Sequence, residues 1–241
     1  ERFNAADHFI LPHLREGRAE RPYLYAGDAV LTYGGLDALA NRAVHALRAL
    51  GVGAEQRVAL ILPDGFDFAA CFWGALRMGA VAVPLNTQWP AEQYRHCLSD
   101  SRARALIVDA EFWPRVAPAL EGLRHPPAVA LAGGPVPDGP IPDGPIPDGT
   151  TPNGTTPGRP ALAALLAEAS GSPASEPTHR DEPAFWLYTS GSTGAPKAAV
   201  HLHHDLVLPV ERFAKGFLGL GADDLTFSAS KLFFAYGLGN S

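Results

Sequence analysis

Apolar and polar positions alternate over residues 23–33, between Tyr23 and Tyr33, around the pair Gly27-Asp28. Period-two alternation interrupted by a residue that tolerates positive φ predicts a β-hairpin with a two-residue turn. Immediately afterwards Leu36, Leu39, Ala40, Ala43, Val44, Leu47 and Leu50 recur three or four apart, with Asp37, Asn41, Arg42 and Arg48 between them. That spacing gathers the apolar set on one face of an amphipathic helix, and Gly51 stops it. Shorter runs follow: a strand at 57–62, a helix at 66–78, a strand at 80–83, a helix at 90–98 and a strand at 105–108. Strands of near-continuous Val, Ile, Leu and Ala alternating with helices are the pattern of a parallel sheet covered on both faces. The first half therefore reads as α/β, a doubly wound, mostly parallel sheet with helices on both faces.

The pattern breaks at 133–160. There Pro-Val-Pro-Asp-Gly, two copies of Pro-Ile-Pro-Asp-Gly and Thr-Thr-Pro-Asn-Gly succeed one another. Proline at this density supplies neither ladder donors nor helix bonds, while Asp-Gly and Asn-Gly favour turns. This stretch reads as a flexible Pro/Gly-rich insertion, a solvated linker in preference to a partner-recognition element. A short helix at 161–169 and a second Pro- and Ser-rich connection lead to a strand at 185–188. A further strand is expected at 198–202.

Composition narrows the functional classes. A chain of 241 residues, 46% hydrophobic, can bury a sizeable core. Lys and Arg number 19 against 25 Asp and Glu, a net charge of -6 with no basic block, which argues against nucleic acid and anionic membrane surfaces as partners. Apolar runs such as 58–62 are too short to span a bilayer, and Arg77 interrupts the region that comes closest. No basic start followed by an apolar run opens the chain. Cys71 and Cys97 both fall in predicted helices and read as buried free thiols of a reducing cytoplasm.

The candidate chemistry lies between the last two strands. Tyr188-Thr189-Ser190-Gly191-Ser192-Thr193-Gly194-Ala195-Pro196-Lys197 packs four Ser and Thr hydroxyls, two glycines and one lysine into ten residues. Glycines let backbone N–H groups approach anionic oxygens, hydroxyls donate further hydrogen bonds, and a lysine adds a mobile positive charge. Such a loop suits a polyphosphate. It is not the common P-loop, which wants Gly before its Lys, Ser or Thr after it, and a helix to follow. Here Pro196 precedes Lys197, Ala198 follows, and the continuation reads as a strand.

This loop resembles the signature of the adenylate-forming superfamily, which includes acyl- and aryl-CoA ligases, peptide-synthetase adenylation domains and luciferases. Leu31-Thr32-Tyr33, the segment 79–86 (Gly-Ala-Val-Ala-Val-Pro-Leu-Asn) and the segment 231–240 (Lys-Leu-Phe-Phe-Ala-Tyr-Gly-Leu-Gly-Asn) extend the resemblance, the last looking most like benzoate–CoA ligases. It spans nearly the whole chain apart from the proline repeat, and about the first half of the family's large domain. It implies that residues 1–241 are the N-terminal part of an AMP-binding domain, without the small C-terminal domain. It further implies that Thr189, Ser190, Gly191, Ser192, Thr193 and Gly194 wrap the β- and γ-phosphates of ATP, with Lys197 closing the loop. Where the family normally has Gly after that lysine, this chain has Ala198. Phe234, Ala235, Tyr236 and Gly237 resemble the wall of a carboxylate pocket, with Ala235 and Tyr236 flanking an aromatic ring. The other reading of Phe233, Phe234 and Tyr236 is plain core. His203 is placed against the bound acid or adenylate.

The resemblance implies ATP, Mg²⁺ and coenzyme A as co-substrates, a benzoate-like acid as substrate, and leaves a homodimer open. A carboxylate oxygen attacks the α-phosphorus of ATP, pyrophosphate leaves, and the thiol of coenzyme A captures the acyl-adenylate. No protein nucleophile is needed, and no complete catalytic set is expected in this chain. The chain stops at Ser241 short of the family's magnesium-binding acidic residue, ribose-gripping aspartate, hinge and small-domain lysine, so by itself it is not expected to complete adenylation. Two other readings stay open: an adenylation protein that loads an aryl acid onto a carrier protein, and a non-catalytic nucleotide- or partner-binding module. His201, His203 and His204 are not read as a metal site. Asp223-Asp224 reads as a helix-to-strand turn.

Overall fold

A computed structural model of the protein describes residues 1–133, 160–189 and 194–239. The Pro/Gly-rich repeat therefore lies outside the described residues apart from its two ends.

Helix α1 (Ala5–Arg15), which the apolar pattern does not announce, begins at Asn4. The Asn4 carboxamide oxygen accepts from the amides of Ala6 (3.0 Å) and Asp7 (3.4 Å), which satisfies two of the donors that every helix start leaves open. Its Nδ2 donates to the carbonyls of Leu76 and Arg77, so the cap also ties α1 to the core. The expected hairpin follows as β1 (Pro22–Ala26) and β2 (Ala29–Thr32), with Gly27 at φ 59°. Thr32 then caps α2 (Tyr33–Ala49) through its hydroxyl on the Gly35 amide, three residues before the helix reading would start.

The central sheet is built from β3 (Arg57–Ile61), β4 (Val81–Pro84), β5 (Ala105–Asp109), β6 (Ala128–Ala132), β7 (Pro183–Thr189) and β8 (Lys197–Leu202), in the order β6-β5-β3-β4-β7-β8. All neighbours run parallel except β7 and β8, which are antiparallel. Between strands come α3 (Phe66–Arg77), α4 (Ala91–Ser101), the short α5 (Trp113–Val116) and α6 (Leu162–Glu168). Strand residues alternate between two apolar layers. Val58, Leu60 and Ile107 join α2, α3 and α6 on one face, whereas Ala59, Ile61, Leu106 and Val108 join α4 and α5 on the other. From β3 the chain crosses the first face through α3 to β4, then returns across the second face through α4 to β5 on the far side of β3. This reversal makes the arrangement doubly wound, and it opens a crevice at the carboxyl ends of the strands.

Two points of packing fix how the helices sit. Gly74 of α3 lies so close to α2 that a Cβ there would stand 2.6 Å from the Ala43 Cβ and 3.1 Å from the Ala40 carbonyl oxygen. Arg77, 1% exposed, is neutralised from two helices: its Nε lies 3.3 Å from the Asp7 carboxylate and its Nη1 2.8 Å from Asp37. Nη1 also donates to the Asn41 side-chain oxygen at 2.9 Å. A buried guanidinium is tolerable only with such partners, so α1, α2 and α3 are locked together.

The structure differs from the sequence reading in several places. Helix α4 continues to Ser101, where Arg102 ends it in the left-handed region at φ 48°. Strand β6, in which three of five residues are Ala, does not stand out by its apolar pattern. Asp223-Asp224 does form a turn, with the Asp224 carboxylate accepting from the Gly221 amide at 2.7 Å, but the turn follows a π-helical segment, Pro209–Lys215. No strand comes after it among the described residues. Both cysteines are free and buried, and burial raises the Cys97 thiol pKa to about 12. Among the described residues no helix is long and apolar enough to cross a membrane.

Candidate functional site

Strands β7 and β8 place the hydroxyl- and glycine-rich segment. They pair in the register Tyr188 with Ala198 and Thr189 with Lys197, so the two chain ends meet at the carboxyl end of β7, next to β4. The loop thus joins two antiparallel strands and opens no helix, as expected from the Pro196-Lys197-Ala198 ending. Ser190, Gly191, Ser192 and Thr193 lie outside the described residues. At the roots, the Thr189 hydroxyl donates to the Lys197 carbonyl at 3.4 Å. Gly194 turns at φ 93°, a conformation L side chains avoid, and it lies in open space. The Lys197 side chain is exposed and pairs with no described carboxylate, which leaves its ammonium available to an anion.

Side chains of α4 reach both roots. The Tyr188 hydroxyl donates to the Asp100 carboxylate at 2.6 Å, and the His96 Nε2 donates to the Pro196 carbonyl at 2.9 Å. Burial pushes the Tyr188 phenol far above its ordinary pKa, with the hydrogen bond to Asp100 and that carboxylate's charge adding to it. The phenol is therefore a fixed neutral donor at any working pH. The sequence reading missed His96 and Asp100; their spacing of four along a helix is the one signal that puts them on a common flank.

The aromatic segment arrives at the same end of the sheet. Asp64, just past β3, accepts from the Leu232 amide at 3.1 Å and lies 3.5 Å from the Lys231 ammonium. Leu232 and Leu238 pack on the core from either side of Phe234, Ala235, Tyr236 and Gly237, and the last three begin a helical turn, α7 (Ala235–Gly239). Phe233 is buried (6%), whereas Phe234 (47%) and Tyr236 (74%) are exposed. The two alternatives for these rings thus divide: Phe233 is core, and the other two face outward. Gly237 is forced by contact, since a Cβ there would lie 2.1 Å from the Lys231 carbonyl oxygen. A pocket of about 290 Å³ opens beside this segment, lined by Asp64, Gln88, Glu111, Arg115, Lys231 and Phe233 among others. Apart from Lys231 and Phe233, those residues follow β3, β4 and β5, so it occupies the crevice the sheet reversal creates.

His203 does not join that wall. It is completely buried, and its Nδ1 accepts from the Ala5 amide at the start of α1 at 3.1 Å. Desolvation lowers its pKa to about 4. The other two histidines are engaged separately. His201 stacks on Phe185 with ring centres 4.6 Å apart, and His204 lies 3.1 Å from Asp181 and 3.2 Å from Asp205. Asp205 is the next residue along the chain and Asp181 is brought in by the fold, yet no group of three or more metal-ligating residues converges among the described residues.

The connection that ends in Lys197 and the segment 231–239 thus both stand at the carboxyl edge of a doubly wound α/β sheet. The chain belongs to the AMP-binding enzyme family, whose model matches residues 13–240. It is 40% identical over 242 aligned residues to a benzoate–CoA ligase of Thauera aromatica, covering 100% of this chain and 42% of that protein. Among solved structures it resembles a benzoate CoA ligase from Burkholderia xenovorans LB400 (TM-score 0.79, 34% identity, 99% of this chain and 42% of that one). It also resembles the anthranilate CoA ligase AuaEII in complex with anthranoyl-AMP (TM-score 0.85, 29% identity, the same coverage). The chain spans about two fifths of the length of these relatives.

Proposed function

We propose that these residues are the nucleotide-facing part of an ATP-dependent ligase that activates a benzoate-like carboxylate and passes the acyl group to coenzyme A, working in the cytoplasm. The observation that carries the reading is the β7–β8 hairpin: it sets Thr189 and an exposed Lys197 on adjacent strands at the carboxyl edge of the sheet. The likeness to a benzoate–CoA ligase and to a CoA ligase solved with an aryl-adenylate supports it.

In this reading the loop from Thr189 to Gly194 holds the β- and γ-phosphates and Lys197 neutralises them. Pyrophosphate then departs with the electron pair of its bond to the α-phosphorus as the carboxylate oxygen bonds there. The thiolate of coenzyme A next attacks the acyl carbon, and AMP leaves. Both steps depend on alignment and charge neutralisation, to which backbone amides, hydroxyls and the Lys197 ammonium would contribute. Phe234, Ala235, Tyr236 and Gly237 supply a flat wall for an aromatic ring. His203, buried against the first turn of α1, is read as a support for that helix. The described residues do not by themselves form a Mg²⁺ site.

Titration of ATP into the chain tests the carrying observation. Lys197→Met is expected to weaken binding about tenfold or more, since a charge-assisted contact contributes roughly 1.5–3 kcal/mol. Equal affinity in both proteins would remove the loop's assigned role. Benzoate- and coenzyme A-dependent release of AMP by the full-length polypeptide tests the reaction, and no release with any aryl acid would refute it.

A further inference from the structure

We infer that His96 and Asp100 of α4 are positioning residues for the loop, clamping its two roots to one helix so that Thr189 and Lys197 face a nucleotide at a fixed separation. The inference rests on the loop being the phosphate holder.

Three observations carry it. Helix α4 is a firm support: Tyr94, Cys97, Leu98 and Ser101, spaced three and four apart, are buried against the sheet. The Tyr94 hydroxyl donates to the Asn86 carbonyl at 2.8 Å, and Arg95 donates to the Pro118 carbonyl at 2.6 Å. Second, His96 and Asp100 stand one turn apart on the flank beside this buried stripe. Third, each holds a different root. Asp100 grips Tyr188, the residue before Thr189, and His96 grips Pro196, the residue before Lys197.

The chemistry of each contact is specific. Pro196 has no N–H, so it cannot be held through a donor of its own, and its carbonyl is the polar group left to fasten the loop end. A carbonyl only accepts, so the His96 Nε2 carries hydrogen, whether the ring is neutral or cationic. On the other root the phenol of Tyr188 donates to a carboxylate, a stronger bond than one between neutral groups. Without these contacts the two strands would still pair, but Thr189 and Lys197 would gain freedom, and ordering them on a triphosphate would cost affinity.

The test compares the parent chain with His96→Leu, His96→Gln and Tyr188→Phe by backbone amide exchange across 186–200 and by ATP titration. In His96→Leu, exchange of the amides at 194–198 is expected to quicken about tenfold and ATP affinity to fall several-fold, as loss of one anchoring hydrogen bond implies. The midpoint of urea unfolding should hardly move. His96→Gln, which can present an N–H to the same carbonyl, is expected to recover most of both losses. Tyr188→Phe should loosen the other root with its ring still packed. Unchanged loop exchange and unchanged affinity in both His96→Leu and Tyr188→Phe would overturn the inference, as would a Gln variant as impaired as Leu. A parent chain that binds no ATP would instead refute the phosphate-holding role, while amide exchange would still decide whether the clamp exists.

Discussion

His203 makes the stability of this protein depend on pH in a direction the structure dictates. The ring has no exposed surface, and its Nδ1 accepts the Ala5 N–H at the first turn of α1. Accepting there requires the neutral ring with hydrogen on Nε2, and Nε2 finds no partner among the described residues. Protonation would aim a second N–H at the Ala5 amide and bury a cation at the positive end of a helix. Desolvation alone lowers the pKa from 6.5 to about 4. Because the folded value lies below the unfolded one, the unfolded chain binds the proton more readily. The stabilising contribution is thus complete above about pH 6.5, declines as pH falls from there toward 4, and is exhausted below it. At about 1.4 kcal/mol per pH unit across that window, the whole loss is about 3 kcal/mol. His203→Asn keeps an acceptor at the position of Nδ1 and does not titrate. Urea unfolding of both proteins between pH 7.5 and 4 should show the parent's advantage over the variant shrinking by roughly that amount. His8 and His13, whose pKa values burial also lowers, titrate in both proteins and cancel in the difference. A gap independent of pH would refute the reasoning.

Other perturbations follow from the packing. Gly74→Ala should destabilise by about 1–3 kcal/mol, because the new methyl meets Ala43 and the Ala40 carbonyl; a urea midpoint equal to the parent's would show that α2 and α3 can separate freely. Arg77→Met should cost about 3–5 kcal/mol, since it leaves Asp7 and Asp37 facing an uncharged side chain, and thermal unfolding at neutral pH measures it. Arg102→Gly should stabilise by about 0.5–1 kcal/mol by relieving a left-handed backbone at the end of α4, visible as a raised unfolding midpoint.

What the chain alone determined was local and periodic. The Gly27-Asp28 turn, the amphipathic stripe of α2 and the apolar strands β3, β4 and β5 are each legible within a window of a few residues, because period two and period 3.6 leave their mark directly in the order of side chains. The Tyr188 to Lys197 segment is legible for the same reason, since its hydroxyls, glycines and lysine are contiguous. The elements that escaped have weak local marks: α1 contains Pro12 and begins at a cap whose second role is to bind α3, and β6 is short and rich in alanine. Tertiary structure decided everything that depends on distant partners. It buried His203 under a helix 198 residues earlier in the chain, separated Phe233 from the exposed Phe234 and Tyr236, and brought Asp181 beside His204. It also set His96 and Asp100 at the two roots of a loop about a hundred residues away, which no spacing could reveal. Periodicity reports which face of an element is apolar; only the fold reports what that face, and the polar flank beside it, will meet.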